Sequence, residues 1–509
     1  MTFTRIHQLA EQHLAIRPDA PAIKDCDGTV YSWARYCALI DEAEALLRAN
    51  GAVSGERVLV VGENCLAMPV LMLACSRIGA WAVPVNARMS AGEIARISSH
   101  ANPVLTLFTS NVSAEARAHA GEAAAIETGF GALQMSQGVS DPEVGGGADT
   151  APAILLYTTG TTGDPKGVML SHGNLLFAAR ISAELRDLCP RDHVYGALPL
   201  THVFGVASML MASAHAGAMV ELATRFSPVK LFEALRNGAT VMPAVPQMHA
   251  LLMAHAEAQG LTKLGSTTLR YVSSGAAPLD PTWKRKAEAF YDLPLQNGYG
   301  MTESTAGISG TRNRIGDPDI SVGPPLPGVE VKLDTTGGED PGVGEVLTRG
   351  PHVMLGYFRN PAATASVMTP DGFLRTGDLG RFDDEGRLHI VGRAKELIIR
   401  SGFNVYPPEV EAALNDHPAV IQSAVVGRAV DGDEMVLAFV QTNPASDVTE
   451  EDLRAFAAER LTGYKRPSRI FIVQALPAAA TGKILKHQLL DRFEDIVGTQ
   501  ALELPGHGS

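Results

Sequence analysis

Through residues 1–150, short apolar runs of strand length alternate with segments of helical period. RVLVVG, Arg57 to Gly62, and AWAVPVN, Ala80 to Asn86, read as strands around a helix at Leu66 to Ile78. Such alternation indicates a parallel sheet with helices on its faces. The opening stretch, MTFTRIHQLAEQHL, reads as an amphipathic helix with Ile6, Leu9, Leu14 and Ile16 as its apolar points. PEVGGGADTAP, Pro142 to Pro152, reads as an exposed loop. The α/β rhythm resumes over residues 175–310, where VYGALPL, AMVEL, ATVMPAV and LRYVSSG are strand-like. From Gly323 the texture changes. PGVEVKL, GEVLTRG and LHIVG are short strands separated by Gly, Pro and Asp, which suggests a small antiparallel barrel or sheet. It changes again after Arg393, where helices and strands make a compact α+β unit, so a domain boundary is expected at Arg393 to Lys395.

A chain of 509 residues exceeds a single core, so two or more domains are expected. The segment Val203 to Val220 is the most membrane-like, at a borderline length for a span. His215 and several small residues favour a buried helix instead, and no transmembrane helix is expected. A net charge of -13 argues against nonspecific nucleic-acid binding, which needs clustered Lys and Arg. The five cysteines are scattered, odd in number and without metal-ligand spacing, which suits buried structural thiols in a reducing cytoplasm. The N-terminus lacks the apolar core of a signal peptide.

Chemistry concentrates in YTTGTTGDPKGVMLSHGNL, Tyr157 to Leu175. AILLY before the glycines and VML after them read as strands, and Ser171 reads as the N-cap of a following helix. Glycines let backbone N–H groups approach an anion, the threonines add hydroxyl donors, and Lys166 adds a mobile positive charge. That set suits a triphosphate. It is not a Walker P-loop, because Asp164 and Pro165 follow the last loop glycine and a strand follows Lys166.

Further motifs follow in order. In PLTHVFG, His202 could pack beside a substrate carboxylate, although a lone histidine at a strand end is more often structural. In SSGAAPL, small residues at a strand end permit close approach by a flat ring. In QNGYGMTES, Tyr299 can stack on a base, Thr302 can bond a phosphate oxygen, and Glu303 can hold Mg²⁺ against it. In FLRTGDLG, Asp378 can accept both ribose hydroxyls, or serve only as a turn residue. GRAKELIIRSGFNVYPPEVE spans the expected boundary, and PAAATGKILKHQL carries Lys483.

Together these motifs resemble the adenylate-forming superfamily of acyl-CoA synthetases, peptide-synthetase adenylation domains and luciferases, over residues 10–490. The resemblance implies an α/β fold, in which residues 1–393 form a large N-terminal adenylation domain of two α/β subdomains plus a small β-barrel. A mobile α+β C-terminal domain would span 394–500, with a disordered tail at 501–509. It implies that Thr158, Thr159, Gly160, Thr161, Thr162, Gly163 and Lys166 hold the ATP phosphates. Gly275, Ala276, Asn297, Gly298, Tyr299, Gly300, Thr302, Asp378 and Arg393 would complete the nucleotide site. Glu303, with Thr161, would hold Mg²⁺. Lys483 would contact both carboxylate and α-phosphate, Lys395 would be the hinge, and His202, Thr302 and Glu303 would also act in catalysis. The acyl pocket would be lined by His202, Phe204, Val206, Gly275, Gly300, Met301 and Ile308, and CoA would meet Gly402, Phe403 and Lys465. Gly402 would serve because a thiol tunnel leaves no room for a Cβ.

The implied reaction joins a carboxylic acid to CoA, consuming ATP through an acyl-adenylate and releasing AMP and pyrophosphate. The apolar pocket favours a fatty (medium- or long-chain) or aromatic monocarboxylic acid. THVFGVAS also resembles malonyl-CoA synthetases, whose arginine further along is met here by His215, so a dicarboxylate is less favoured; Arg312 and Arg314 keep it open. An acyl-AMP ligase that loads a separate carrier protein is the other alternative. A cytoplasmic enzyme is expected, with a homodimer left open.

Overall fold

The computed structural model describes residues 3–144, 146–159, 165–277, 279–336, 340–430, 433–443, 446–478 and 484–499. Two eight-stranded sheets carry the larger part of the chain. The first has a parallel centre in Arg57–Gly62, Trp81–Asn86 and Leu105–Phe108, joined by Pro152–Thr159 and the antiparallel Pro165–Ser171. Arg57–Gly62 is buried at every position, as a continuous apolar run covered on both faces should be. The helix Ala67–Ile78 follows it, and Ala91–Ala101 starts from a capping box between Ser90 and Glu93.

The second sheet runs parallel through Pro21–Lys24, Met219–Leu222, His193–Gly196, Val241–Ala244, Tyr271–Ser274 and Leu295–Tyr299. Its far strand therefore comes from the start of the chain. Periodicity assigns a strand's type but not its distant neighbour. One apolar cluster, from Ile6 to Leu374, spans elements of both sheets.

The N-terminal helix Gln8–Ile16 buries Leu9, Ala10 and His13 together with Ile6. Leu14 and Ile16 are instead 42% and 73% exposed. Positions 6, 9, 10 and 13 share one face at 3.6 residues per turn, and 14 and 16 fall off it. The apolar segment from Val203 is buried, as expected, but it opens as a π-helix, Phe204–Met211, before the short helix Ala212–Ala216. Among the described residues no helix is long and apolar enough to cross a membrane.

A four-stranded antiparallel sheet follows, in the order Glu330–Asp334, Gly344–Arg349, Leu374–Phe382, Leu388–Arg393. Residues from Ile398 onward pack into two apolar clusters of their own, around Val410, Val425 and Ile470 and around Phe439, Phe471 and Leu489. Their three-stranded sheet is flanked by Pro407–Asn415 and Glu450–Ala458.

Burial holds several histidines below their ordinary pKa, His249 and His352 among them. His249 bonds Tyr291 Oη at 2.8 Å and the Ser273 carbonyl at 3.1 Å, and burial pushes its pKa down to about 4. His352 bonds Thr348 Oγ1 at 2.8 Å and is likewise pushed down to about 4 by burial. The unfolded chain binds these protons near the usual value, so the stability they permit is complete above that value and is lost as pH falls toward 4. The slope is about 1.4 kcal/mol per pH unit for each group. The melting temperature should therefore drop between pH 7 and pH 5, and by less in His352→Asn; an unchanged melting temperature would contradict this.

Candidate active site

Strands Val241–Ala244, Tyr271–Ser274 and Leu295–Tyr299 are parallel neighbours, so their C-terminal ends open on one edge of the sheet. Ligands of open α/β sheets bind at that edge. Gly275, Ala276 and Gly300 emerge there together. A Cβ on Gly300 would lie 1.7 Å from the Ala306 carbonyl oxygen, so no other residue fits. Ala276 and Ala306 hold positive φ, +68° and +82°, a strained conformation for alanine that collects at functional sites. A Cβ on Gly275 would sit 3.2 Å from Phe204 Cε1, so the Phe204 ring covers this strand end. His202, on the preceding turn, accepts the Phe204 N–H on Nδ1 at 3.3 Å.

Two buried carboxylates lie at the site, and each is held by a phenol. Asp378, 4% exposed, accepts the Tyr299 hydroxyl on Oδ2 at 2.6 Å and meets Arg393 Nε at 3.0 Å on Oδ1. Burial, with the Asp378 charge second, raises the Tyr299 pKa well above its ordinary value, so the phenol stays the donor. Glu303 accepts the Tyr357 hydroxyl on Oε1 at 2.9 Å. Lys166 Nζ lies 5.1 Å from the centre of the Tyr357 ring.

The backbone explains this second cluster. Pro152–Thr159 and Pro165–Ser171 form the hairpin that pairs Thr158 with Lys166. The two-residue strand Gly356–Tyr357 pairs with the hairpin's outer edge, Tyr357 opposite Val168. Ser171 caps the next helix in a box with Asn174, as the sequence predicts. Glu303 follows Tyr299 by four residues, in the turn Thr302–Ser304, where Thr302 is also buried. One carboxylate beside an anion site suits a hard cation shared with phosphate oxygens rather than a protein-only cage. Among the described residues no group of three acids, histidines or cysteines could cage a metal.

The sequence missed Tyr357. Its only local signal is the short run Gly356 to Phe358, and its strand partner is far away in the chain. Other expectations need correction. The Asn297 amide is spent internally, on the Ser321 carbonyl at 3.0 Å and the Gly298 N–H at 2.9 Å, which makes it a scaffold for the strand end. Gly298 lies beside it, against Ser309. Met301 and Phe204 pack on the main cluster, to which Val206 belongs, whereas Ile308 joins Ile181, Leu326 and Val329 in a separate one with Tyr299. Arg312 is 60% exposed and faces Asp187, and Arg314 is exposed too, so neither is placed to read a buried acid. Gly160, Thr161, Thr162, Gly163 and Lys483 lie outside the described residues, as does the side chain of Thr159. Ala478 and Ile484 form a bridge on either side of the segment that holds Lys483.

The expected CoA residues do gather. Phe403, 54% exposed, stacks on Tyr464 with ring centres 4.7 Å apart, and the adjacent Lys465 pairs with Glu409 at 2.7 Å. Gly402 neighbours them, but a Cβ there would meet nothing within 4 Å. Its glycine answers to a φ of +79°, not to a tight wall. Lys395 lies exposed in the turn Ala394–Glu396, directly after Arg393. A cavity of about 260 Å³ lies beside Thr201, with Asn64, Arg88, Arg225 and Gln247 in its lining.

Residues 10–358 match the AMP-binding enzyme family, and residues 409–483 match the AMP-binding enzyme C-terminal domain. The chain belongs to the AMP-binding enzyme family. It is similar to 4-coumarate–CoA ligase 5 of Oryza sativa subsp. japonica, 34% identical over 95% of this chain and 94% of that one. It is 32% identical to oxalate–CoA ligase of Arabidopsis thaliana, over 94% and 96% of the two chains. Among solved structures, O-succinylbenzoate coenzyme A synthetase from Bacillus subtilis, in complex with ATP and magnesium ion, superimposes with a TM-score of 0.80 at 29% identity. That match covers 94% of this chain and 98% of the other. Within the AMP-binding enzyme family these relatives make the chain an AMP-forming carboxylate–CoA ligase, a class that uses ATP, Mg²⁺ and CoA.

Charge-assisted hydrogen bonds contribute about 1.5–3 kcal/mol each. With Asp378 as the ribose acceptor that the resemblance implies, Asp378→Ala should weaken ATP binding by at least about tenfold in calorimetry. Unchanged affinity would remove Asp378 from the nucleotide site.

Proposed function

We propose that the chain activates an aromatic or fatty carboxylic acid as its acyl-adenylate and transfers the acyl group to CoA in the cytoplasm. The observation that carries this is the shared strand edge, where Tyr299, bonded to Asp378, lies four residues before Glu303 and the Phe204 ring covers Gly275. The edge thus offers a ribose acceptor, an anion site and an apolar wall together. A 4-coumarate ligase among the relatives supports an aromatic acid.

In the first half-reaction a carboxylate attacks the α-phosphorus of ATP, so two negative groups must approach. Lys166 and the donors of the Tyr157 to Gly167 loop would stabilise the developing charge, with Lys483 bridging carboxylate and α-phosphate. Bound Mg²⁺ would offset charge between Glu303 and the phosphates. Tyr299 would stack on the base, while Asp378 accepts the ribose hydroxyls. His202 and Phe204 would shield the acyl group from water, which matters because adenylates hydrolyse. In the second half-reaction the domain from residue 394 would pivot at Lys395 and withdraw Lys483. Phe403, Tyr464 and Lys465 would then face the incoming CoA, whose thiol attacks the adenylate carbonyl and expels AMP.

Lys483→Ala should nearly abolish pyrophosphate release with the melting temperature unchanged; undiminished release would refute the assignment. Lys395→Pro should slow thioester formation more than adenylate formation, because it removes hinge freedom. Equal loss of both halves would count against the hinge. Wild-type turnover should depend on CoA; release that stops near one equivalent and ignores CoA would make a carrier protein the acceptor.

A further inference from the structure

The far end of the Tyr271 strand holds a charge with no ion pair among the described residues. Residues 271, 273 and 275 share one face of that strand. Gly275 lies under Phe204 at the reactive edge, and Tyr271 lies four residues back, about 13 Å away at strand spacing. The π-helix Phe204–Met211 begins at the same phenylalanine, and π-turns recur at functional sites. Ser208, one turn on from Phe204, accepts the Ser182 hydroxyl at 3.3 Å, and its carbonyl accepts a hydrogen bond from Arg186.

Arg186 ends the helix His172–Leu185 and is 6% exposed. Its side chain lies within hydrogen-bonding reach of the Tyr271 hydroxyl, while its Nε–H has no partner among the described residues. The Ser273 hydroxyl, 7% exposed on the same strand face beside Tyr271, has no well-formed bond among the described residues. The acids nearest in sequence are taken by other arginines: Glu184 by Arg180 at 3.0 Å, Asp187 by Arg312 at 3.7 Å, and Asp192 by Arg270 at 2.5 Å. Burial disfavours the charge of Arg186, yet a guanidinium offers donors only and keeps its proton. Buried charges are ordinarily paired, and leaving one unpaired is costly.

We infer that Arg186 receives a second carboxylate at the far end of the substrate acid, which makes the enzyme selective for diacids whose carboxylates are separated by an extended chain or a ring. Ser208 and Ser273 supply further hydrogen bonds to the same group. A three-carbon diacid is too short to span from the Gly275 edge to Arg186. The inference rests on the ligase reading and narrows its acid. It also reverses the preference for monocarboxylates that His215 suggested, because the pairing cation comes from a different helix.

The test is kcat/KM for CoA-dependent pyrophosphate release with matched acids: octanoate against octanedioate, decanoate against decanedioate, and cinnamate against 4-carboxycinnamate. At least one diacid should exceed its partner by tenfold or more in the wild-type protein, a comparison that needs no variant. Arg186→Met should erase or invert that ratio. Monocarboxylates preferred throughout by the wild type, or a variant that slows both members of a pair equally, would overturn the inference and leave the ligase reading intact. No CoA-dependent release with any of the six would instead count against the ligase reading.

Discussion

A site for a triphosphate has to tolerate carboxylates beside it, and the way this protein holds Glu303 and Asp378 is the constraint around which the rest is arranged. Each acid is largely buried and each accepts a tyrosine hydroxyl; Arg393 pairs with Asp378, and Lys166 lies over the ring of Tyr357, the phenol that Glu303 accepts. The phenols orient the carboxylates as hydrogen-bond acceptors. On the proposed reading, Asp378 would accept the ribose hydroxyls and Glu303 would share a cation with the phosphates.

Holding both acids in place takes three separate pieces of backbone. The parallel strand Leu295–Tyr299 delivers Tyr299 and the turn with Glu303. The antiparallel sheet delivers Asp378 and Arg393, paired residues on adjacent strands. The hairpin Pro152–Ser171, extended by Gly356–Tyr357, delivers Lys166 and Tyr357. The π-helix that starts at Phe204 meets the same edge at Gly275, so on the proposed reading the nucleotide and acyl sites would share one border. Residues beyond Ile398 have clusters of their own, and on the proposed reading the second half-reaction would fall to them. Lys486 ties that region together, reaching Glu411 at 2.7 Å and Glu396, next to Lys395, at 3.4 Å.

Local chemistry made much of this legible in the sequence. The strands Arg57–Gly62 and Trp81–Asn86, the hairpin with its capping serine, and the Tyr299 to Glu303 motif are short-range patterns whose spacing states their structure. What the sequence withheld depends on distant pairing. Tyr357 becomes a site residue only because its strand adds to an edge formed long before it, and Arg186 only because a helix end meets the back of the Tyr271 strand. Residues 21–24 likewise join the sheet that lies further along the chain. Motif membership also overstated some roles, since Asn297 and Ile308 sit in the expected runs but serve packing and internal bonding.

The most direct test is a calorimetric titration of ATP into the protein with and without Mg²⁺, comparing the wild type with Glu303→Gln. If the buried Glu303 carboxylate is the anion that a cation must offset, wild-type binding will be tight with Mg²⁺ and at least tenfold weaker without it. The glutamine variant will lose most of that dependence. Wild-type ATP affinity that ignores Mg²⁺, or a variant as metal-dependent as the wild type, would contradict the account.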